Sequence, residues 1–267
     1  MNPFSVIHPE SGLVPIIVSV PHCGHLIPDD LAGEFRSDKI KFIDDTDWFV
    51  ERLYGFAPSM GMTLVSSVVS RWVIDLNRPP DGKPLYNDGR VITGLCPVTD
   101  FLGDPIYADR RSIVSQDETQ RRKSLYYHPY HEQLKALIAE RIEMFGKVLL
   151  WDCHSIRQFV PTIRPEKFPD LILGDADGTA ASPGLIETSL RNLESSGLQV
   201  THNHPFKGGY ITRHYGEPGT GCHALQLEMA KLHYMDDTET HWDASRASRI
   251  QETLKRNFGE LISELTD

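Results

Sequence analysis

The sequence has few cysteines, and none of them falls in a recognisable pattern. Cys23, Cys96, Cys153 and Cys222 are irregularly spaced, and no two of them form a CxxC pair. This spacing argues against a disulfide framework, which requires many cysteines relative to the length of the chain. We therefore expect four free thiols in a cytoplasmic protein.

The sequence also lacks long hydrophobic runs and an excess of basic residues. No run approaches the roughly 18 apolar residues of a membrane span, and the start, Met-Asn-Pro-Phe-Ser, lacks the basic region and apolar core of a signal peptide. Lys and Arg number 27 against 37 Asp and Glu, for a formal net charge of -10. This charge argues against nucleic acid or an anionic membrane surface as a partner. A small anionic substrate can still bind where positive charge is gathered locally.

The sequence does contain enough apolar residues for a large core, since 40% of its 267 residues are hydrophobic. Apolar segments of strand length alternate with segments in which apolar residues recur every three or four positions, as in helices. This alternation predicts a single α/β domain over residues 1–267, with a central, mostly parallel mixed sheet covered by helices on both faces. Residues 79–116 are rich in proline, glycine and aspartate, including Asn87-Asp88-Gly89, and predict a long loop that is a candidate lid.

The stretch from Val148 to Ser155 is central to the functional interpretation. An apolar run of strand type leads into Asp152, Cys153 and His154, and ligands commonly bind at the carboxyl ends of strands in an α/β sheet. Residues two apart on a strand share a face, so Asp152 and His154 should project together while Cys153 points away. Cys153 therefore cannot pair with His154 as nucleophile and base.

Two histidines, His22 and His154, each follow an apolar strand, and acidic residues lie between them in the sequence. One histidine in such a place is more often a structural residue than a ligand, but two of them with a carboxylate favour a metal site. A hydrolytic zinc site needs about three protein ligands and one open position for water. His22, Asp45 and His154 would supply this set, and His25 and Asp47 compete as the third ligand.

Two further polar groups follow or interrupt apolar segments. Arg71–Arg78 predicts a strand that ends in Asn77 and Arg78, where the arginine is either an exposed loop residue or a guanidinium fork for a carboxylate. Glu228 interrupts an apolar strand, where an unpaired carboxylate is costly to bury. It is either half of a structural ion pair or a general base and acid beside the metal, and we favour the second interpretation.

Seven motifs together resemble the N-formylglutamate amidohydrolases, the deformylases of histidine breakdown. The resemblance extends from about Val18 to Met235. The motifs are Pro21–Pro28, Asp45–Trp48, Ser70–Arg78, Tyr127–His131, Trp151–Ser155, Lys207–Gly216 and Ala224–Glu228. That family is similar in fold to zinc carboxypeptidases and aspartoacylase, so the resemblance implies a zinc-carboxypeptidase-like (phosphorylase/hydrolase-like) fold.

The resemblance also implies roles for individual residues. It makes His22 and His154 zinc ligands, with Asp45 as the first choice for the third. It makes Asn77 and Arg78 the pair that holds a substrate carboxylate, and Glu228 the catalytic glutamate. The relatives usually place the carboxylate ligand three residues after the first histidine, where this chain has His25, so the choice of third ligand stays open.

Our hypothesis is hydrolysis of N-formyl-L-glutamate to formate and glutamate by a zinc-dependent enzyme. Arg71 or Arg78 would steady the developing oxyanion or one substrate carboxylate, and Arg213, with Lys207 behind it, would meet the second carboxylate. Iron, cobalt or manganese would also suit two histidines and a carboxylate. The alternatives are a zinc amidohydrolase acting on another small N-acyl amino acid and a carboxylate-binding protein without turnover.

Overall fold

A seven-stranded mixed sheet lies at the centre of the computed structural model, which describes residues 2–9, 12–85 and 93–266. The strands are β1 (Phe4–Ile7), β2 (Ile16–Val20), β3 (Thr63–Ser67), β4 (Val148–Ile156), β5 (Leu171–Gly174), β6 (Val200–His202) and β7 (Cys222–Ala230). Their order across the sheet is β1-β3-β2-β4-β7-β5-β6. The pairs β1–β3 and β5–β7 are antiparallel, and the other pairs are parallel.

Helices cover both faces of this sheet. They are α1 (Asp29–Ala32), α2 (Val50–Leu53), α3 (Gln116–Arg122), α4 (His128–Phe145), α5 (Pro183–Glu194), α6 (Tyr210–Tyr215) and α7 (Ala244–Thr266), with a π-helical turn at Lys123–Tyr127. Short 3-10 helices occur at Ala57–Met60, Pro218–Thr220 and Lys231–His233. None of the helices among the described residues is long and apolar enough to cross a membrane.

The alternation of side chains along the strands divides the core into two layers. On β4, Leu149 and Trp151 belong to the apolar cluster that includes α2, α5 and α7, whereas Val148 and Leu150 belong to the cluster that includes α4 and α6. All nine residues of β4 are buried, as a central strand covered on both faces requires. The predicted α/β domain with a mostly parallel sheet and helices on both faces is therefore confirmed.

The register of the central strands sets side chains next to each other at the carboxyl edge of the sheet. His154 on β4 is the direct partner of Glu228 on β7, and Asp152 is the partner of Gln226. His22 lies two residues beyond the end of β2, which pairs with β4 on its other side. The sheet thereby brings together groups that are far apart in the sequence.

Residues 71–78 are not the strand that the sequence predicts. They form turns after β3, because buried polar groups within the segment bond to one another instead of to a neighbouring strand. Arg71 Nη2 donates to Asp75 Oδ2 over 2.7 Å, and the Asn77 backbone N–H donates to Asp75 Oδ1 over 2.9 Å. Both edges of β3 are already paired, with β1 and β2, so no adjacent edge was free for another strand.

The predicted long loop, residues 79–116, lies partly on residues that the structure describes. Residues 79–85 and 93–115 contain no helix or strand, and the loop ends one residue earlier than expected, where the Ser115 side chain caps α3 by accepting from the Glu118 N–H. Asn87-Asp88-Gly89 lies outside the described residues. Pro129 lies in the first turn of α4, which the π-helical turn joins to α3.

We predict that Arg141→Met lowers the free energy of unfolding by about 2 kcal/mol, because charge-assisted hydrogen bonds to buried groups are lost. Arg141 of α4 is fully buried, and its guanidinium donates to Val14 O over 3.2 Å and to Thr63 Oγ1 over 2.7 Å. Chemical denaturation measures the change. The control is Lys135→Met, which removes an exposed cation from the same helix and should change stability by less than about 0.5 kcal/mol. Equal stability of the two variants would contradict the prediction.

Candidate active site

A pocket of about 100 Å³ lies at the carboxyl ends of β2, β4 and β7. Its walls combine charged groups from the strand ends with apolar side chains from the loops. The lining residues are His22, Asp47, Arg71, Asn77, Arg78, Leu85, Thr93, Phe101, His154, Ser155, Ile156, Ile163, Phe206, Gly209, Gln226 and Glu228. A pocket in which several polar and ionisable groups converge is a candidate active site.

Three buried residues at the base of the pocket form a group that could hold a metal ion. His22, Asp47 and His154 each offer a ligand atom, and these atoms lie within 4.8 Å of one another. Asp47 Oδ2 is 3.3 Å from His154 Nδ1 and 3.8 Å from His22 Nδ1. Two imidazole nitrogens and one carboxylate oxygen suit a transition metal ion.

Each of the two histidines is held from behind by a second carboxylate. His22 Nε2 donates to Asp75 Oδ1 over 2.7 Å, and His154 Nε2 donates to Asp152 Oδ2 over 3.0 Å. Both Nδ1 atoms are thereby left facing Asp47. Metal-binding histidines commonly have such carboxylate partners on their other ring nitrogen. Asp152 and His154 project together, as the strand alternation predicts.

The electrostatics of the group favour a positive charge between Asp47 and the two rings. Burial opposes protonation of His154, but Asp152 and Asp47 outweigh burial and raise the pKa of His154. Burial, together with Arg71, lowers the pKa of His22 to about 4, which keeps that ring neutral and able to bind a cation. The donor set and its charge therefore fit a divalent metal ion.

The structure brings Asp47, rather than Asp45, to the two histidines. The Asp45 carboxylate accepts from Trp72 Nε1 over 2.9 Å and from the Phe101 N–H over 3.1 Å. These bonds hold Asp45 against the 71–78 segment and the following loop, because it projects from the turn in a different direction from Asp47. His25 is exposed and stacks on the ring of Trp48, with ring centroids 5.1 Å apart.

Glu228 lies beside His154 with a carboxyl group that favours its protonated form. Burial, followed by the negative charges of Asp47 and Asp152, raises its pKa to about 8 despite the opposing effect of His154. None of the described residues forms a hydrogen bond with its carboxylate, which lines the pocket. A carboxyl group with this pKa can exchange a proton near neutral pH.

Two arginines supply positive charge to the pocket. Arg71 is buried, pairs with Asp75 and stacks on the Phe101 ring, with its guanidinium carbon 4.7 Å from the ring centroid. Arg78 donates from Nε to Thr93 O over 2.9 Å, and its Nη1 is 3.8 Å from Asp75 Oδ2. Both guanidinium groups line the pocket, where an anionic substrate would enter.

Asn77 reaches the pocket, but both ends of its amide have protein partners. Asn77 Oδ1 accepts from the Ile211 N–H over 2.7 Å, and Nδ2 donates to Asp152 Oδ2 over 3.1 Å. Nδ2 also lies 2.9 Å from His154 Nε2. The amide thus connects β4 to α6 behind the histidine.

The two cations expected to meet a second carboxylate are not among the residues that line the pocket. Lys207 Nζ pairs with Asp177 Oδ2 over 2.9 Å, and Arg213 Nε donates to Gly208 O over 2.8 Å. Arg213 is exposed on α6 because the helix begins only after the Gly208–Gly209 turn and buries Ile211 and Thr212 instead.

Asp75, the carboxylate that supports His22, was not predicted from the sequence. The sequence does indicate a buried role for Asp75, because this residue interrupts the apolar run from Trp72 to Leu76 in the same way that Glu228 interrupts β7. Thr93 and Phe101 also line the pocket. They lie in an irregular segment, where no sequence periodicity indicates which way a side chain points.

Comparisons with known proteins show the family to which the chain is similar. The sequence profile of the family described as N-formylglutamate amidohydrolase matches residues 14–235. The chain is 40% identical to the N-formylglutamate deformylase of Pseudomonas putida over 261 residues, which cover 95% of this chain and 94% of the relative. It is also 40% identical to the N-formylglutamate deformylase of Pseudomonas aeruginosa over 259 residues, covering 96% and 94% of the two chains.

Two solved structures are similar along nearly their whole length. An N-formylglutamate amidohydrolase from Ralstonia eutropha superposes with a TM-score of 0.85 at 28% identity, covering 99% of each chain. A gene product of Agrobacterium tumefaciens superposes with a TM-score of 0.75 at 19% identity, covering 98% of this chain and 96% of that one, and this likeness shows the fold alone. Because the family profile and the relatives match most of its length, the chain belongs to the N-formylglutamate amidohydrolase family.

Proposed function

We propose that this protein hydrolyses the formyl amide of N-formyl-L-glutamate to formate and L-glutamate, as a step of histidine degradation in the cytoplasm. The relatives at 40% identity act on this substrate, according to their names. The observation that supports the chemistry best is the register pair of His154 and Glu228, which sets a proton-accepting carboxyl group directly beside the candidate metal ligands.

We propose zinc as the metal, held by His22, Asp47 and His154. Two neutral imidazoles and one carboxylate neutralise only half of a divalent charge, which preserves the acidity of the ion. When bound, such an ion lowers the pKa of a water molecule and polarises a carbonyl oxygen. Iron, cobalt and manganese suit the same donors, so the choice of zinc is part of the proposal.

Glu228 provides the proton transfers of the reaction. A water molecule in the pocket attacks the formyl carbon and gives a proton to the Glu228 carboxylate. The carbon–nitrogen bond then breaks, and the carboxyl group returns the proton to the leaving nitrogen. Formate leaves with the oxygen of the water, and the glutamate amino group leaves with its proton.

The two arginines in the pocket bind and orient the substrate. Arg78 holds one carboxylate of the substrate in a bidentate contact. Arg71 lies beside His22 through their shared partner Asp75, so it can stabilise the oxyanion that develops at the formyl carbon or hold the second carboxylate. Asn77 supports Arg78, because the hydrogen bonds of its side-chain amide fix the backbone directly before Arg78.

The apolar side of the pocket supports a second candidate substrate. Leu85, Phe101, Ile163 and Phe206 are apolar residues of the pocket lining. An N-acyl amino acid with an apolar side chain could bury it against these residues. Hydrolysis of such a compound at a higher kcat/KM than N-formyl-L-glutamate would favour this alternative.

We expect purified protein to release glutamate from N-formyl-L-glutamate, to lose this activity on chelation and to regain it when zinc is added. Zinc should also raise the melting temperature of the chelated protein, because binding to the folded state stabilises it. Activity that is unchanged by an effective chelator would contradict the metal assignment. If no metal restores turnover although zinc raises the melting temperature, the metal site stands and the substrate is wrong.

Glu228→Gln should lower kcat by at least about a hundredfold, because the variant cannot accept the proton of the attacking water. Its zinc content, measured by elemental analysis, should equal that of the wild type, since Glu228 is not one of the ligand group. The matched control is Glu187→Gln, an exposed position on α5, which should leave kcat unchanged. Full activity of the Glu228 variant would rule out the assigned role.

Arg78→Ala should raise KM for N-formyl-L-glutamate by about tenfold or more, because a charge-assisted contact to the substrate is lost. Arg213→Ala is the control, since Arg213 lies outside the pocket lining. Steady-state kinetics of the two variants distinguish their roles. An equal increase in KM for Arg213→Ala would show that the second carboxylate is bound by α6 instead.

A further inference from the structure

The segment 71–78 contributes four charged or polar groups to the site, although it belongs to no helix or strand. Arg71, Asn77 and Arg78 line the pocket, and Asp75 supports His22. The segment lacks the paired backbone hydrogen bonds that fix a strand in a sheet. Its backbone carbonyls must therefore be held by other groups if the pocket is to keep its shape.

Three side chains from one continuous helical run hold this segment. The run extends from Gln116 to Phe145 through α3, the π-helical turn and α4. Arg122 Nη1 donates to Val73 O over 3.0 Å, and two further donors act near the end of the segment. Tyr127 OH donates to Arg78 O over 2.8 Å, and His131 Nε2 donates to Leu76 O over 2.9 Å.

The π-helical turn sets these donors on one side of the run. In a regular α-helix each residue advances by about 100°, so positions 122 and 127 would lie about 140° apart around the axis. The π-helical turn at Lys123–Tyr127 accommodates one more residue per turn, which brings Tyr127 back to the side of Arg122. Tyr127 and His131, four positions apart, then share a face.

His131 is held in the form that donates from Nε2. A backbone carbonyl can only accept, so the hydrogen of the neutral ring must be on Nε2, which faces Leu76 O. The other nitrogen, Nδ1, then accepts from Tyr215 OH over 2.9 Å. Burial lowers the pKa of His131 to about 3, which keeps the ring neutral at any physiological pH.

We propose that Tyr127 and His131 are positioning residues for the substrate-binding end of the 71–78 segment. Both are buried, and neither is among the residues that line the pocket. Their side chains donate to the backbone carbonyls of Leu76 and Arg78, on either side of Asn77. These bonds fix the backbone from which the Arg78 side chain extends. The inference rests on the proposed function, because it assigns Arg78 to the substrate.

Tyr127→Phe removes the hydroxyl and keeps the ring. We expect KM for N-formyl-L-glutamate to rise about fivefold, the value of one neutral hydrogen bond, with kcat changed less than about twofold. The matched control is Tyr126→Phe, whose hydroxyl forms no hydrogen bond with the described part of the chain. A purely structural role for Tyr127 would lower stability without separating KM from kcat, so the melting temperature is measured in parallel.

His131 allows a test by rescue. Glutamine can present an amide N–H at the distance of Nε2, whereas leucine fills the space without a donor. We expect His131→Leu to raise KM about fivefold and His131→Gln to recover most of the wild-type value. Equal KM values for the leucine and glutamine variants would overturn the role of this hydrogen bond.

Hydrogen exchange gives a readout that does not depend on the substrate. The backbone N–H groups of Val73, Asp75 and Asn77 are hydrogen-bonded in the structure, and they should exchange faster in Tyr127→Phe than in Tyr126→Phe. Absence of turnover by the wild-type protein would refute the proposed function. Faster exchange of these N–H groups in Tyr127→Phe would still support the positioning role. Normal KM and normal exchange in Tyr127→Phe would overturn the inference while leaving the function intact.

Discussion

The site depends on one buried carboxylate, that of Asp75. This side chain is fully buried, and it would be costly to bury without partners. It accepts from His22 Nε2 and Arg71 Nη2 and lies 3.8 Å from Arg78 Nη1. Burial alone would raise its pKa, but Arg71 and Arg78 lower it well below the usual range. One ionised group therefore orients the candidate metal ligand His22 and contacts both arginines of the pocket.

The balance of charge around Asp75 suits a cation in the pocket. Asp47, Asp75 and Asp152 are buried within hydrogen-bonding or ion-pair distance of the two histidines, and Arg71 and Arg78 compensate two of their three negative charges. A divalent ion, together with an ionised Glu228, would make the sum neutral while both rings stay uncharged. In the absence of an ion, the same imbalance favours protonation of His154 and Glu228. The burial of so many acids at one edge of the sheet is thus compatible with stability because the site holds positive charge.

The sequence predicted the parts of the site that regular strands position. Strand periodicity was sufficient for His154, Asp152 and Glu228, because the direction of a side chain on a strand follows from its place in the alternation. It was insufficient for the choice between Asp45 and Asp47, which lie in a turn where the backbone angles decide the direction. The prediction of a strand over residues 71–78 was wrong for a related reason. The apolar character of this segment resembles a strand, but it is held by hydrogen bonds within the segment and by others from Arg122, Tyr127 and His131, which are distant in the sequence.

Side chains on the central strands and side chains on irregular segments differ in how easily a substitution can move them. The candidate metal ligand His154 and the proposed general base Glu228 are fixed by the register of β4 and β7. A shift of one residue in either strand would reverse the face of every side chain along it. The arginines instead lie on an irregular segment held by single hydrogen bonds from a neighbouring helix, and the apolar wall comes from loops. We therefore expect substitutions in α3, α4 or the loops to move the arginines while His154 and Glu228 stay in place. Substrate identity is accordingly the property of this site that the sheet constrains least.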